Sequence, residues 1–233
     1  MITLALDTAT ASPSVALTRD GRVCAELWLG AEAGSGRRVL EAVHHLLGAA
    51  GADLRDIDRI VVGIGPGGFT GLRIGLATAL GLSQALGRPV HGAVSLEALA
   101  LSLADAAPGH DLYVPVIDAR RREVFAAAYR LGADGDLRQV IGPCAIAPAD
   151  LAVRLLETTD DAVLGGPGLT AAGQARTHPE ITALPDAAHG HRLRAALLVE
   201  RVDAGAAHPA RPLSARLPDA EINRRAAAAA AVE

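Results

Sequence analysis

Residues 63–75 read GIGPGGFTGLRIG, a glycine-rich stretch between the apolar strand pattern RIVVGI and a helical pattern. Its first six residues match G-x-G-x-x-G, but dinucleotide-binding turns of that spacing follow the first strand of their unit and require an acidic residue about 20 positions on. Here Pro66 lies inside the turn, and no acidic residue occurs between it and Glu97. We therefore expect a tight strand-to-helix connection, in which the first N–H groups of the helix keep the capacity to bind an anion.

All 22 basic residues are arginines, because the 233 residues include no lysine. This excludes a Walker-type P-loop, Schiff-base chemistry and a protein-kinase site, each of which depends on a lysine side chain. With 26 acidic residues the net charge is -4, so no overall positive field would hold a phosphate backbone. In any contact with nucleic acid, we expect a partner to supply most of the positive charge.

The start of the chain and its cysteines indicate the compartment. Residues 1–17 lack the charged start of a signal peptide, and no apolar stretch approaches the ~20 residues that span a bilayer. Cys24 and Cys144 show no C-x-x-C pair and no metal-ligand spacing, so we expect free thiols in a reducing compartment. The sequence predicts a cytoplasmic protein with no contact to a membrane.

The order of predicted elements indicates a mixed α/β protein with two domains. In residues 1–107 the order is βββαβαβα, with a hairpin at Asp20-Gly21. The segment APGHD at 107–111 is the best boundary. Residues 108–233 then open with a second strand–turn–strand unit around DARRRE and end in an alanine-rich tail. Since the second half partly repeats the first, we expect two related lobes.

Two groups of polar residues are candidates for a nucleotide site. Asp7 ends the first strand and could hold a hydrated Mg²⁺, although an Asp there also commonly hydrogen-bonds its own turn. The full first group is Asp7, Thr8, Thr10, Gly65, Gly67, Gly68 and Thr70. The second group is the charged turn Asp118, Arg120 and Glu123, which local ion pairs explain equally well.

Catalytic and metal-ligating patterns are not visible in the sequence. His44 and His45 are adjacent on a predicted helix, so their side chains diverge, and neither H-E-x-x-H nor H-x-x-x-H occurs. There is no G-x-S-x-G elbow and no Ser/His/Asp arrangement. We therefore predict no catalytic residue and no metal.

Four motifs together resemble a known family. They are LALDTAT (4–10), SVAL (14–17), GPGGFTGLRIG (65–75) and DARRREVF (118–125), in the order and spacing of the bacterial TsaB (YeaZ) family. The second half is matched weakly, apart from PLSARLPDA at 212–220. The resemblance implies a two-lobed ASKHA fold, the class of actin, sugar kinases and Hsp70, in which each lobe is a mixed five-stranded sheet with helices.

The resemblance also implies a function and partners. Family members are accessory, dimerisation subunits of the machinery that makes threonylcarbamoyladenosine next to the anticodon of tRNA, where they bind and activate a catalytic paralogue, TsaD. A P-loop ATPase, TsaE, also joins, homodimers form when the subunit is alone, and tRNA is met only through the complex. The paralogue carries a metal-binding H-x-x-x-H that TsaB proteins lack. This implies a non-enzymatic subunit without a cofactor, or with weak or shared ATP or ADP at a subunit junction.

In the family, two helices dock on the partner, and they correspond here to helix 37–50 and the helix after the glycine turn. Small and aliphatic residues on these helices would form an exposed apolar stripe, which is typical of an interface, unless they are intramolecular core. The partner-binding candidates are Leu40, Val43, Leu47, Leu72, Gly75, Leu76, Ala79 and Leu82.

One alternative function stays open at this point. It is an active ATP-dependent ASKHA-type transferase or phosphotransferase that uses Asp7 and the glycine turn. The peptidase label attached to this superfamily has no motif in the chain to support it.

Overall fold

Two five-stranded mixed sheets form the frame of the protein. The structure is a computed structural model that describes residues 1–30, 38–133, 135–213 and 215. The first sheet contains β1 (Ile2–Asp7), β2 (Ser14–Arg19), β3 (Arg22–Trp28), β4 (Arg59–Gly63) and β5 (Val90–Ala93), in the order β3-β2-β1-β4-β5. The second contains β6 (Leu112–Arg120), β7 (Glu123–Leu131), β8 (Leu137–Ile146), β9 (Ala162–Gly165) and β10 (Ile181–Ala183), in the order β10-β9-β6-β7-β8.

The two sheets have the same topology. In each sheet, the first three strands pair antiparallel in chain order. The fourth strand pairs parallel with the first, and the fifth pairs parallel with the fourth. This duplication confirms the repeat expected from the sequence and the two-lobed ASKHA fold.

Helices cover the faces of the sheets. In the described part of the chain they are α1 (Val39–Ala49), α2 (Phe69–Leu86), α3 (Ser95–Ala106), α4 (Pro148–Leu156), α5 (Gly173–Thr177) and α6 (Ala195–Asp203), with 3-10 turns at Leu54–Asp56, Leu169–Ala172 and His189–His191. Within the described ranges, none of the helices combines the length and the apolar character that crossing a membrane requires.

The alternation of side chains along β1 shows how the core is built. Leu4 and Leu6 pack in the cluster that contains the buried residues of α1 and three buried residues of α2, whereas Ala5 packs with α6. Successive strand residues face opposite sides of a sheet, so one short strand serves both layers. On α3, Leu99 belongs to the same cluster as Tyr129 of the second sheet, and the core is therefore continuous from one lobe to the other.

The predicted division into 1–107 and 108–233 describes the sheets but not the last part of the chain. The sheets do separate there, since α3 ends at Ala106 and β6 begins at Leu112. However, α6 packs on the alanine-lined face of the first sheet, and His208 exchanges backbone hydrogen bonds of 2.7 and 2.9 Å with Gly92 of β5. The small side chains of that face let α6 approach closely. The second lobe therefore does not include everything after residue 108. The alanine-rich tail and most of the motif at 212–220 lie outside the described residues.

Candidate functional site

The glycine turn brings the end of β1 against the start of α2. A Cβ atom on Gly71 would lie 2.2 Å from the carbonyl oxygen of Thr8, and one on Gly75 would lie 2.2 Å from Thr8 Oγ1. Thr8 Oγ1 donates a 2.8 Å hydrogen bond to the carbonyl of Gly71, and the N–H of Gly68 donates one of 2.8 Å to the carbonyl of Ala9. These glycines permit close packing between two segments of the chain, which confirms the expected tight connection.

Asp7 is buried beneath this turn. Its Oδ1 accepts a 2.7 Å hydrogen bond from the N–H of Ala9, and its Oδ2 accepts one of 2.6 Å from Ser95 Oγ. That Oγ in turn accepts a 3.1 Å hydrogen bond from the N–H of Gly65, and any side chain on Gly63 would collide with the carboxylate. Burial raises the pKa of Asp7 to about 6, although both hydrogen bonds lower it. Each oxygen thus accepts a hydrogen bond from the protein, one of them from the turn that follows Asp7, and the side chain is only 1% exposed.

A cavity of about 560 Å³ lies between the lobes. It brings the two candidate groups together: Thr8, Thr10, Gly67 and Gly68 line it from the first lobe, and Asp118 and Arg120 from the second. Asp7, Gly65, Thr70 and Glu123 do not line it. The hydroxyl of Thr10 donates a 3.0 Å hydrogen bond to the carbonyl of Ser12, so, like the hydroxyl of Thr8, it already has a partner in the protein.

The charged turn between β6 and β7 contains the ion pair that the sequence allowed. Asp118 Oδ1 accepts a 2.7 Å hydrogen bond from the N–H of Arg120, and its Oδ2 lies 3.3 Å from Arg120 Nη1. Glu123 lies opposite Arg120 in the β6–β7 register. Within the described ranges, no three His, Cys, Asp or Glu side chains cluster as metal ligands would.

The expected exposed stripe on α1 and α2 is wrong for all of its residues except Leu40, which is 54% exposed. The others are buried in the chain itself: Val43, Leu47, Leu72, Gly75, Leu76, Ala79 and Leu82. Five of these seven residues belong to the core cluster of the first sheet, while Leu72 packs against Gly65 and Gly75 against Thr8, so all seven are intramolecular core.

The exposed side of α2 is apolar at other positions. Phe69 is 67% exposed and Leu80 is 46% exposed. The only charged residue of α2 is Arg73, whose guanidinium lies 3.8 Å from the centroid of the Phe69 ring. From Ala77 to Ala85 the exposed positions carry no charge; we call this the uncharged face, and it consists of Ala77, Leu80, Gly81, Gln84 and Ala85.

A groove of about 380 Å³ lies between α1 and α2. Leu40 and Leu54 are exposed at its lining, and Leu82 of α2 forms another part of the lining. The groove places Leu40, the one exposed member of the predicted stripe, beside α2.

Comparisons with known proteins identify the family. The family model described as TsaD, tRNA N6-adenosine threonylcarbamoyltransferase, matches residues 31–191. An uncharacterized protein of Mycobacterium tuberculosis is 35% identical over 221 residues, which covers 94% of this chain and 93% of the relative. The tRNA threonylcarbamoyladenosine biosynthesis protein TsaB of Bacillus subtilis is 35% identical over 164 residues, 70% of this chain and 69% of the relative.

The chain belongs to the TsaB (YeaZ) family. Among solved structures, YeaZ from Pseudomonas aeruginosa superposes with a TM-score of 0.74 at 29% identity, covering 91% of this chain and 99% of that one. The motifs that carried the resemblance therefore identified the family correctly.

Some residues of this TsaB family member could not be recognised from its sequence. Ser95 holds Asp7 from 88 positions away, and no local pattern signals such a contact. Phe69 and Leu80 lie on the exposed side of a helix whose small and aliphatic residues occur all round, so the helical period did not separate them from the core.

Proposed function

We propose that this protein is an accessory subunit of tRNA threonylcarbamoyladenosine biosynthesis, which binds and activates a TsaD-like transferase and contains no catalytic centre of its own. The observation that carries the proposal is the uncharged face of α2. The names of the TsaB relatives and the TsaD family model supply the biochemical setting.

The uncharged face has the composition of the centre of an interface. Charged residues are depleted at interface cores, and a contiguous exposed apolar surface on a protein of this size commonly marks a contact site. Ala77, Gly81 and Ala85 are small enough to let a partner helix approach closely, while Leu80 supplies a side chain that a partner can bury. The groove beside Leu40 adds exposed apolar side chains on α1 and on the turn that follows it.

The same surface suits self-association. The resemblance suggests that the protein is a homodimer when alone, and one apolar face used for both partners would make the two complexes mutually exclusive. We propose that the TsaE-like P-loop ATPase contacts the complex of this protein with the TsaD-like transferase.

The position of Asp7 supports the non-catalytic part of the proposal. The alternative enzyme would use Asp7 around Mg-ATP, whereas here the carboxylate is buried against Ala9, Ser95 and Gly63. The alternative of an ATP-dependent transferase acting through Asp7 and the glycine turn has correspondingly weaker support.

Co-purification with a tagged TsaD-like paralogue of the same organism tests the main proposal. Leu80→Asp should reduce recovery of the complex at least tenfold, because a charge would be buried without a partner. The control is Val153→Asp, which places the same charge on another exposed apolar position, on α4 (56% exposed), and should leave recovery unchanged. If the two variants behave alike, the uncharged face is not the docking surface.

A titration with Mg-ATP tests the enzymatic alternative. We expect no tight binding and no hydrolysis by the isolated chain. Micromolar affinity with turnover that disappears in Asp7→Asn would instead establish the alternative.

A further inference from the structure

Three consecutive arginines occupy the tip of the β6–β7 turn in an unusual backbone conformation. Arg120, Arg121 and Arg122 have φ values of 62°, 54° and 63°, which lie in the left-handed region. Glycine adopts this region readily, and Asn and Asp adopt it occasionally. Other residues rarely do, and then mostly as single residues. All three side chains are exposed, so burial does not explain the choice of arginine.

The base of the turn packs closely against a second glycine turn. The N–H of Gly168 donates a 2.9 Å hydrogen bond to the carbonyl of Val116, and a Cβ atom on Gly168 would lie 2.5 Å from the carbonyl carbon of Ile117 and 2.6 Å from the nitrogen of Asp118. The arginines therefore project from a closely packed base.

The three arginines line one side of an open groove of about 600 Å³. The opposite side is formed by small and neutral residues, among them Pro148 and Ala149 at the start of α4 and Gln174 of α5. Asp118 is the one carboxylate among the lining residues that the structure describes, and it is already paired with Arg120 within the turn. Three arginines and one carboxylate therefore line this groove, in a chain whose net charge is -4.

We propose that this arginine turn binds backbone phosphates of the tRNA that the assembled complex modifies. The inference rests on the proposed function, and it assigns to this chain a direct contact with RNA beyond the role of a protein-binding subunit. Arginine guanidinium groups are the side chains best suited to phosphate, because their planar N–H groups bind two oxygens at once.

The exposure of the arginines favours RNA over a small nucleotide. Sites for small molecules enclose most of the ligand surface between apolar walls. Here the guanidinium groups stand at the edge of an open groove, with the Arg120 side chain 86% exposed. A polyanion that lies across the turn can reach such groups without being enclosed.

Binding of a fluorescein-labelled tRNA transcript, followed by anisotropy at several salt concentrations, tests the proposal. The protein is used both alone and as the co-purified complex with its TsaD-like paralogue. The double variant Arg121→Gln/Arg122→Gln should weaken binding about fivefold or more and lower the slope of log Kd against log salt by about one for each phosphate that is no longer bound. The control Arg22→Gln/Arg88→Gln removes the same charge from exposed positions of the first lobe and should leave both quantities unchanged.

A second variant separates RNA binding from stability. Arg121→Gly/Arg122→Gly should raise Tm, because glycine adopts left-handed φ without strain, and should weaken RNA binding as much as the glutamine variant does. A purely structural turn would show the gain in Tm with no loss of RNA affinity.

Other results of these binding measurements would overturn the proposal that the arginine turn binds RNA. Equal effects of the two glutamine variants, or no detectable RNA binding by the wild-type protein in either form, would overturn the proposal. The proposal would also be overturned if ADP displaced the labelled tRNA at concentrations where unlabelled RNA does not, and if this displacement depended on the same arginines. If the complex forms and the arginine variants leave RNA binding intact, this inference fails while the proposed function stands. If the complex does not form, the proposed function fails and the measurement on the isolated chain decides this inference.

Discussion

Ser95 Oγ donates a 2.6 Å hydrogen bond to Oδ2 of Asp7, and this contact joins the start of α3 to the end of β1. The same oxygen accepts a hydrogen bond from the N–H of Gly65, so a single hydroxyl connects three segments that meet below the glycine turn. The carboxylate in this position is costly to ionise because it is removed from water.

Asp7→Asn should change how stability depends on pH. The folded-state pKa of Asp7 is about 6, above the ordinary value of 3.8, so the native state binds this proton more tightly than the unfolded state does. The associated stabilisation is fully present below about pH 4 and is lost as pH rises through 6. Relative to Asp7→Asn, the wild type should therefore lose about 3 kcal/mol of unfolding free energy between pH 4 and pH 8. Urea unfolding across this range measures it, and a constant difference between the two proteins would contradict the prediction.

Two glycines of α2 should respond in opposite ways to alanine. Gly71→Ala places a methyl group 2.2 Å from the backbone oxygen of Thr8 and should destabilise the protein by about 1–3 kcal/mol. Gly81→Ala meets nothing within 4 Å and should stabilise it by roughly 0.5–1 kcal/mol, because glycine is unfavourable inside a helix. Urea unfolding of the two variants checks both signs, and equal effects would refute the packing role of Gly71.

Substituting aspartate for a buried leucine and for an exposed leucine of α2 should distinguish an effect on stability from an effect on binding to the paralogue. Leu76 is 5% exposed, and Leu76→Asp should cost about 3 kcal/mol or more, since an unpaired charge would enter the core. Leu80→Asp should change stability by only about 0.5 kcal/mol while abolishing association with the paralogue. Thermal unfolding of the two purified proteins makes the comparison; a large loss of stability in Leu80→Asp would mean that Leu80 is part of the core.

Breaking the ion pair between Arg201 and Glu97 should lower the free energy of unfolding, because the remaining charge would stay largely buried without its partner. The pair joins α6 to α3 at a distance of 2.8 Å, and the side chains are 9% and 13% exposed. Arg201→Met leaves the carboxylate unpaired and should cost about 3–5 kcal/mol. Adding Glu97→Gln to that variant should recover part of the loss. A double-mutant cycle in urea measures the coupling, and strictly additive effects would show that the two side chains act independently.

The sequence predicts the repeated topology and the role of the glycine turn because both depend on local patterns. The hairpin signal at Asp20-Gly21 and the run of glycines after β4 specify conformations within a few residues of where they occur. The exposure of α2 was not predictable in this way, since a helix with small residues on several sides has more than one face that could pack on the sheet. The enclosure of Asp7 depends on Ser95, and such a contact between distant segments leaves no periodic signal.

The return of α6 has a consequence for the order in which the chain folds during synthesis. The second sheet is built from one uninterrupted stretch, from β6 to β10, whereas the first sheet needs α6 and the pairing of Gly92 with His208 to complete its layer. As the chain leaves the ribosome, the first sheet therefore stays incomplete until residues near position 208 have been synthesised, after every strand of the second sheet.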